Sequence, residues 1–161
     1  MKKDFSWDDR MLVAKASVYA QDAHRGQYRK YTGQDYVEHP EAVAALVRLW
    51  GGTAQQVAAA WLHDVLEDTD TTRDHLLAVF GGDITVLVEE LTDVFTSEDY
   101  PDMNRASRKA LEAERLGNVS EEAKTIKLAD IADNTKDIVA HDPDFAIVYF
   151  REKATLLEYL V

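Results

Sequence analysis

The chain has 161 residues, 46% hydrophobic and 30% charged, which suits one folded domain with room for a core. It has no cysteine, which excludes a disulfide framework, a thiolate metal site and a cysteine nucleophile. The formal net charge of −12 opposes long-range attraction to nucleic acid, no apolar run reaches the length of a membrane span, and the first seven residues lack the apolar core of a signal peptide. The expectation is a cytoplasmic protein with neither nucleic acid nor membrane as partner, residues 1–161 forming a single domain.

The periodicity predicts helix throughout. A first helix from about Asp8 to Arg25 carries Leu12, Ala16, Tyr19 and Ala23 on one stripe, with Ser6 as its N-cap. Gly26 to His39 reads as a polar and aromatic loop. Pro40 opens the next helix in its first turn and Gly51-Gly52 closes it. Thr53 and Gln56 form a capping box for a helix that continues through His63-Asp64 to Glu67-Asp68. Further helices are expected over Thr72 to Phe80, Asp83 to Phe95, Met103 to Leu116 and Ser120 to Ala140. The last runs from Asp142 (cap) and Pro143 (first position) to Leu160. No alternating apolar run demands a strand, so the predicted fold class is all-α, a bundle of about eight helices.

Chemistry concentrates in Trp61-Leu62-His63-Asp64-Val65-Leu66-Glu67-Asp68-Thr69-Asp70. On one continuous helix His63 would stand above Glu67 and Asp64 above Asp68, at the end of the apolar run Val57 to Leu62. Charged groups emerging from a buried element need a partner, and a divalent metal with its water would supply one. His39, His63, Asp64 and Asp130 make a candidate ligand set drawn from three segments. Mixed imidazole and carboxylate ligands suit manganese, iron, zinc or magnesium, and a bound ion lowers the pKa of its water.

Three segments carry a family resemblance. They are Ala23-His24-Arg25-Gly26-Gln27-Tyr28-Arg29-Lys30-Tyr31-Thr32-Gly33, then Tyr36-Val37-Glu38-His39-Pro40, then the His63-Asp64 run. With Phe80-Gly81, Leu91-Thr92 and Lys127-Leu128-Ala129-Asp130 following in order, about Leu12 to Asn134 resembles the hydrolase domain of RelA/SpoT-type alarmone enzymes, in a small stand-alone form of the HD superfamily. The resemblance implies an HD-domain helical bundle with Mn²⁺ held by His39, His63, Asp64 and Asp130. It implies that Glu67 and Asp68 position or deprotonate the attacking water, and that Arg29, Lys30 and Asn134 contact the nucleotide. The implied reaction removes the 3′-diphosphate of ppGpp or pppGpp as pyrophosphate. The alternatives are the same metal chemistry on (p)ppApp or NADPH, and a non-catalytic nucleotide-binding module.

Other residues have plainer readings. His24 is expected to support the metal-site loop, and His75 and His141 to lie on the surface. Tyr28, Tyr31 and Tyr36 either wall a base pocket or pack the loop onto the core. Arg105, Arg108 and Lys109 either reach diphosphate oxygens or form a solvated helix face. Asp133, three residues beyond Asp130, either supports the metal site from behind or, by default, is an exposed acid. Ile131-Ala132-Asp133 and Asp137 depart from the family pattern beside the nucleotide rather than the metal. Lys153 to Val161 is amphipathic enough to pack within the chain or against a second copy.

Overall fold

The computed structural model describes residues 4–161; Met1 to Lys3, the beginning of the stretch read for a signal peptide, lie outside the described residues. Nine helices are present among them: α1 (Trp7–Ala23), α2 (Glu38–Leu49), α3 (Ala54–Leu62), α4 (Val65–Asp68), α5 (Arg73–Phe80), α6 (Gly82–Leu91), α7 (Arg105–Gly117), α8 (Glu121–His141) and α9 (Pro143–Leu160). The only strand-like pairing among the described residues is an isolated bridge between Tyr28 and Asp35. The all-α expectation holds, and none of these helices is long and apolar enough to cross a membrane.

Local chemistry sets most of the boundaries. Ser6 and Asp9 exchange side-chain and backbone hydrogen bonds at the start of α1, and Thr53 and Gln56 do the same for α3. Asp142 caps α9, with Pro143 at its first position, where a missing N–H costs nothing. Three of the boundaries that differ from expectation have a clear local cause. The helix predicted to reach Phe95 stops at Leu91, because Thr92 takes an extended backbone while its hydroxyl donates to the Val88 carbonyl. The helix predicted from Met103 starts at Arg105, capped by Asn104.

The third difference shapes the site. The helix expected to run through His63-Asp64 breaks there into α3 and the single turn α4. The His63 ring accounts for the break: its Nδ1 bonds the Ala60 carbonyl at 2.7 Å, leaving the backbone N–H a weak 3.5 Å bond to the same oxygen. His63 and Glu67 therefore do not stack on one straight helix.

α3 packs against α1, α2, α6 and α8. Its run Val57-Ala58-Ala59-Ala60 is buried, and the small side chains let neighbouring backbones approach. A second cluster (Ala113, Leu116, Ile131, Leu156 and Leu160) joins α7, α8 and α9. The site lies where the ends of α2, α3 and α4 meet the middle of α8.

Candidate active site

Pro40 and the first turn of α2 place His39, which belongs to the helix rather than to the preceding loop, with its ring buried against α8. The α3–α4 break delivers His63 and Asp64, and α8 delivers Asp130. His39 Nε2 stands 3.0 Å from Asp130 Oδ1 and 3.7 Å from Asp64 Oδ2. His63 Nε2 stands 3.0 Å from Asp64 Oδ2 and 3.6 Å from Asp130 Oδ1. The four residues singled out by sequence thus converge from three segments.

Both imidazoles are oriented from behind. His39 Nδ1 faces Asp133 Oδ2 at 2.7 Å, and His63 Nδ1 faces the Ala60 carbonyl. A ring that donates from Nδ1 turns the Nε2 lone pair toward the cluster, the tautomer a metal ligand needs. His63 Nε2 is buried without a hydrogen-bond partner, beside two carboxylates. A buried polar atom left in that position is costly unless a cation takes its lone pair. His39, His63 and Asp130 form one group able to hold a metal; Asp64, Glu67 and Asp68 form another beside it.

The electrostatics agree. Burial by itself would lower both histidines, yet His39 is raised by Asp130 and Asp133, and His63 is raised well by Asp64 and Asp130. Burial would raise the carboxylates, but His63 holds Asp64 down at about 2, and Lys127 with the two histidines holds Asp130 well below the usual carboxylate range. The cluster favours positive charge at its centre, which a divalent ion provides. The donor set fits a metal.

Around it lies a cavity of about 200 Å³, lined by the four residues together with Tyr36, Glu67, Asp68, Asp93, Lys127 and Asn134. Tyr36 donates its hydroxyl to Asp64 at 2.6 Å. Lys127 and Asn134 donate to the two oxygens of Asp130 at 2.8 and 2.9 Å. Glu67 accepts from the Asp93 backbone N–H. Glu67 is exposed as a residue, yet desolvation of its carboxyl at the cavity and the Asp93 charge push it up to about 7. Burial and Asp64 raise Asp68 as well.

The Ala23-to-Gly33 segment braces the site. Gly26, at φ +81°, makes the turn that lets Gln27 bridge the His24 ring, at 2.9 Å, and the Asp68 carbonyl, at 2.6 Å. His24 is buried and its ring lies 5.0 Å from that of Tyr36, the supporting role expected of it. The tyrosines divide. Tyr36 reaches the cluster, Tyr31 donates to Asp142 and stacks on His141, and Tyr28 is exposed.

The nucleotide-contact candidates separate too. Asn134 lines the cavity. Lys30 is exposed, its Nζ 5.1 Å over the Tyr31 ring. Arg29, expected to contact the nucleotide, is paired with Asp133 at 3.0 Å and with Asp137. Asp133 takes the supporting alternative rather than the exposed default: it is buried between Arg29 and His39. The signal was present: Asp130, Asp133 and Asp137 recur at three- and four-residue spacing, one face of α8. Arg105 pairs with Glu152, while Lys109 leans toward Asp93 at 4.0 Å. His75 and His141 are exposed, as expected.

A helical bundle that gathers buried histidines and aspartates into a metal-binding cluster around a His-Asp helix break has the HD-type architecture. The chain belongs to the HD-domain family, whose description "HD domain" matches residues 16–148. It is similar to the guanosine-3′,5′-bis(diphosphate) 3′-pyrophosphohydrolase MESH1 of Xenopus tropicalis, 34% identical over 84% of this chain and 74% of that one. The human protein of the same name is 38% identical over 82% of this chain and 72% of that one. The solved structure of a metazoan ortholog of SpoT that hydrolyses ppGpp superposes with a TM-score of 0.81 at 30% identity, covering 98% of this chain and 88% of that one.

Proposed function

We propose that this protein is a metal-dependent 3′-pyrophosphohydrolase of guanosine alarmones, converting (p)ppGpp and water to GDP or GTP and pyrophosphate. The observation that carries the reading is the convergence of His39 and His63 Nε2 on Asp64 and Asp130 beside the Glu67–Asp68 wall, in a chain similar to MESH1 along most of its length.

His39, His63, Asp64 and Asp130 would hold the ion, with Mn²⁺ as the proposed metal. Bound there, it supplies charge neutralisation on phosphate oxygens and acidifies a water. Glu67, poised near neutrality, accepts the proton as water attacks the 3′-phosphorus. Asp68 orients that water. Asn134, tied to Asp130, meets the nucleotide at the cavity edge, and Lys30, exposed in the loop before α2, offers a point charge. Arg29 serves chiefly by fixing Asp133 and, through it, His39.

That engagement of Arg29 favours one second reading. With its guanidinium held by Asp133 and Asp137, base recognition has fewer free groups, and the same chemistry on (p)ppApp or NADPH is its natural variant. A binding-only module is disfavoured because every ligand and the Glu67–Asp68 pair are retained.

The test is product analysis by anion-exchange chromatography, with Mn²⁺-supplemented protein offered ppGpp, ppApp, NADPH and GMP in parallel. GDP and pyrophosphate from ppGpp support the reading. Turnover of ppApp or NADPH alone moves the substrate, and no turnover by metal-loaded protein defeats the enzyme reading.

A further inference from the structure

Helix α9 packs on α7 and α8, and its buried residues are Ala146, Tyr149, Leu156 and Leu160. A second apolar stripe runs beside them: Ile147, Phe150, Ala154, Leu157 and Val161, at alternating three- and four-residue spacing. All five are exposed, Ile147 at 57%, Phe150 at 49% and Leu157 at 36%. At about 100° per residue the two stripes lie roughly a quarter-turn apart, so α9 has two apolar faces and its own fold covers only the first. Alternating three- and four-residue spacing on an uncovered face is the seam along which helices pair, and a monomer rarely leaves such a contiguous apolar patch to water.

The charges beside the stripe point to what covers it. Arg151 and Glu158 flank it on one side and are exposed, and neither side chain enters an ion pair or hydrogen bond among the described residues, whereas the nearby Glu152 is engaged by Arg105. With one cation and one anion, this flank calls for neither a basic nor an acidic partner. The opposite flank (Ala146, Lys153 and Leu160) is turned into the fold, buried or half-buried. A parallel partner helix would set the exposed flank of one copy against the covered flank of the other, while an antiparallel one sets exposed flank on exposed flank. Turned about a two-fold axis at Ala154, the stripe is its own complement. Ala154 then meets Ala154 of the second copy, Phe150 meets Leu157 and Ile147 meets Val161, and Arg151 of each copy comes beside Glu158 of the other. The smallest side chain of the stripe falls at the crossing point, where two helices come closest.

We propose that the outer face of α9 is a self-association surface, on which two copies of this chain pair antiparallel about Ala154 in a closed, two-fold dimer. The pairing uses a face that α7 and α8 leave free and is independent of the reaction assigned to the metal cavity.

The experiment is sedimentation velocity of the full chain between about 1 μM and 1 mM, the range in which a weak to moderate dimer declares itself. Wild type should pass from one to two chain masses and no further. Phe150→Asp should raise the dissociation constant about thirtyfold or more, while Val18→Glu, on the exposed face of α1, should leave it unchanged. Arg151→Glu and Glu158→Arg should each raise it about tenfold by setting like charges together. Mixed with each other, these two variants should form a heterodimer of wild-type affinity, because each then supplies the charge the other lacks. Both positions are exposed, so this mixing test stands even where Phe150→Asp lowers the melting temperature. A wild type that stays at one chain mass throughout overturns the proposal, as does a dimer indifferent to Phe150→Asp or species that keep growing with concentration. Single charge variants that fail to recover on mixing overturn the antiparallel pairing about Ala154. No readout requires turnover, so the dimer and the hydrolase reading fail separately.

Discussion

Asp133 joins His39 to Arg29: one carboxylate oxygen faces the His39 Nδ1 at 2.7 Å and accepts from the guanidinium at 3.0 Å. Both partners hold the acid well ionised against the effect of its burial. An ionised acid behind the ring fixes the tautomer and strengthens Nε2 as a ligand. Asp133→Asn should therefore weaken metal affinity about tenfold to a hundredfold with the helical content unchanged. Arg29→Ala should act in the same direction, less strongly. Metal titration followed by calorimetry reads both. Normal metal affinity in Arg29→Ala with a raised KM would return Arg29 to nucleotide contact.

Glu67 makes no bond to the histidines. Its side chain accepts instead from the Asp93 backbone N–H. Glu67→Gln keeps the shape and can still accept from that N–H, so metal content should be unchanged. Loss of a positioned proton acceptor should lower kcat on ppGpp about a hundredfold or more, with little change in KM. A variant with wild-type kcat would remove Glu67 from the chemistry.

The caps and the convergence of His39 with Asp130 were legible for a common reason. Ser6, Thr53-Gln56 and Asp142-Pro143 act through near neighbours, and His39 and Asp130 stand in motifs whose order along the chain is itself informative. The α3–α4 break was not legible. No glycine or proline marks residues 63–64, and the helix yields to a side chain that bonds its own third-preceding carbonyl. The burial of Asp133 was only half legible for a related reason. An acid at helical spacing reads as surface until the neighbouring helix is placed, and only packing distinguishes α8's inner face from its outer one.

Holding the ion should also stabilise the fold, because its ligands come from α2, the α3–α4 junction and α8, which are not held together in the unfolded chain. Metal at a hundredfold excess over its dissociation constant contributes about 2.7 kcal/mol. Thermal unfolding of wild type should therefore show a midpoint that rises with Mn²⁺ and falls back with a chelator. Asp64→Asn should be folded, inactive and much less responsive to either. An equal metal response in wild type and Asp64→Asn would exclude Asp64 as a ligand.

Glu112, buried on α7, offers a pH test independent of the metal. Its buried carboxylate accepts from the backbone N–H groups of Val94 and Phe95 and from Arg115, and so holds the turn that presents Asp93 to Glu67. Burial would raise this acid, but Arg115 and the two backbone donors lower it below the ordinary glutamate value. A depressed folded-state pKa contributes stability that is fully present above the unfolded value and is lost as pH falls through the folded one. Glu112→Gln should then cost about 1–3 kcal/mol near neutral pH, measured by urea unfolding. The gap from wild type should narrow steadily as pH falls below the ordinary carboxylate range, because protonation takes the same charge from the native protein. A gap that stays constant into acid would mean that shape, not charge, is what Glu112 supplies to the turn.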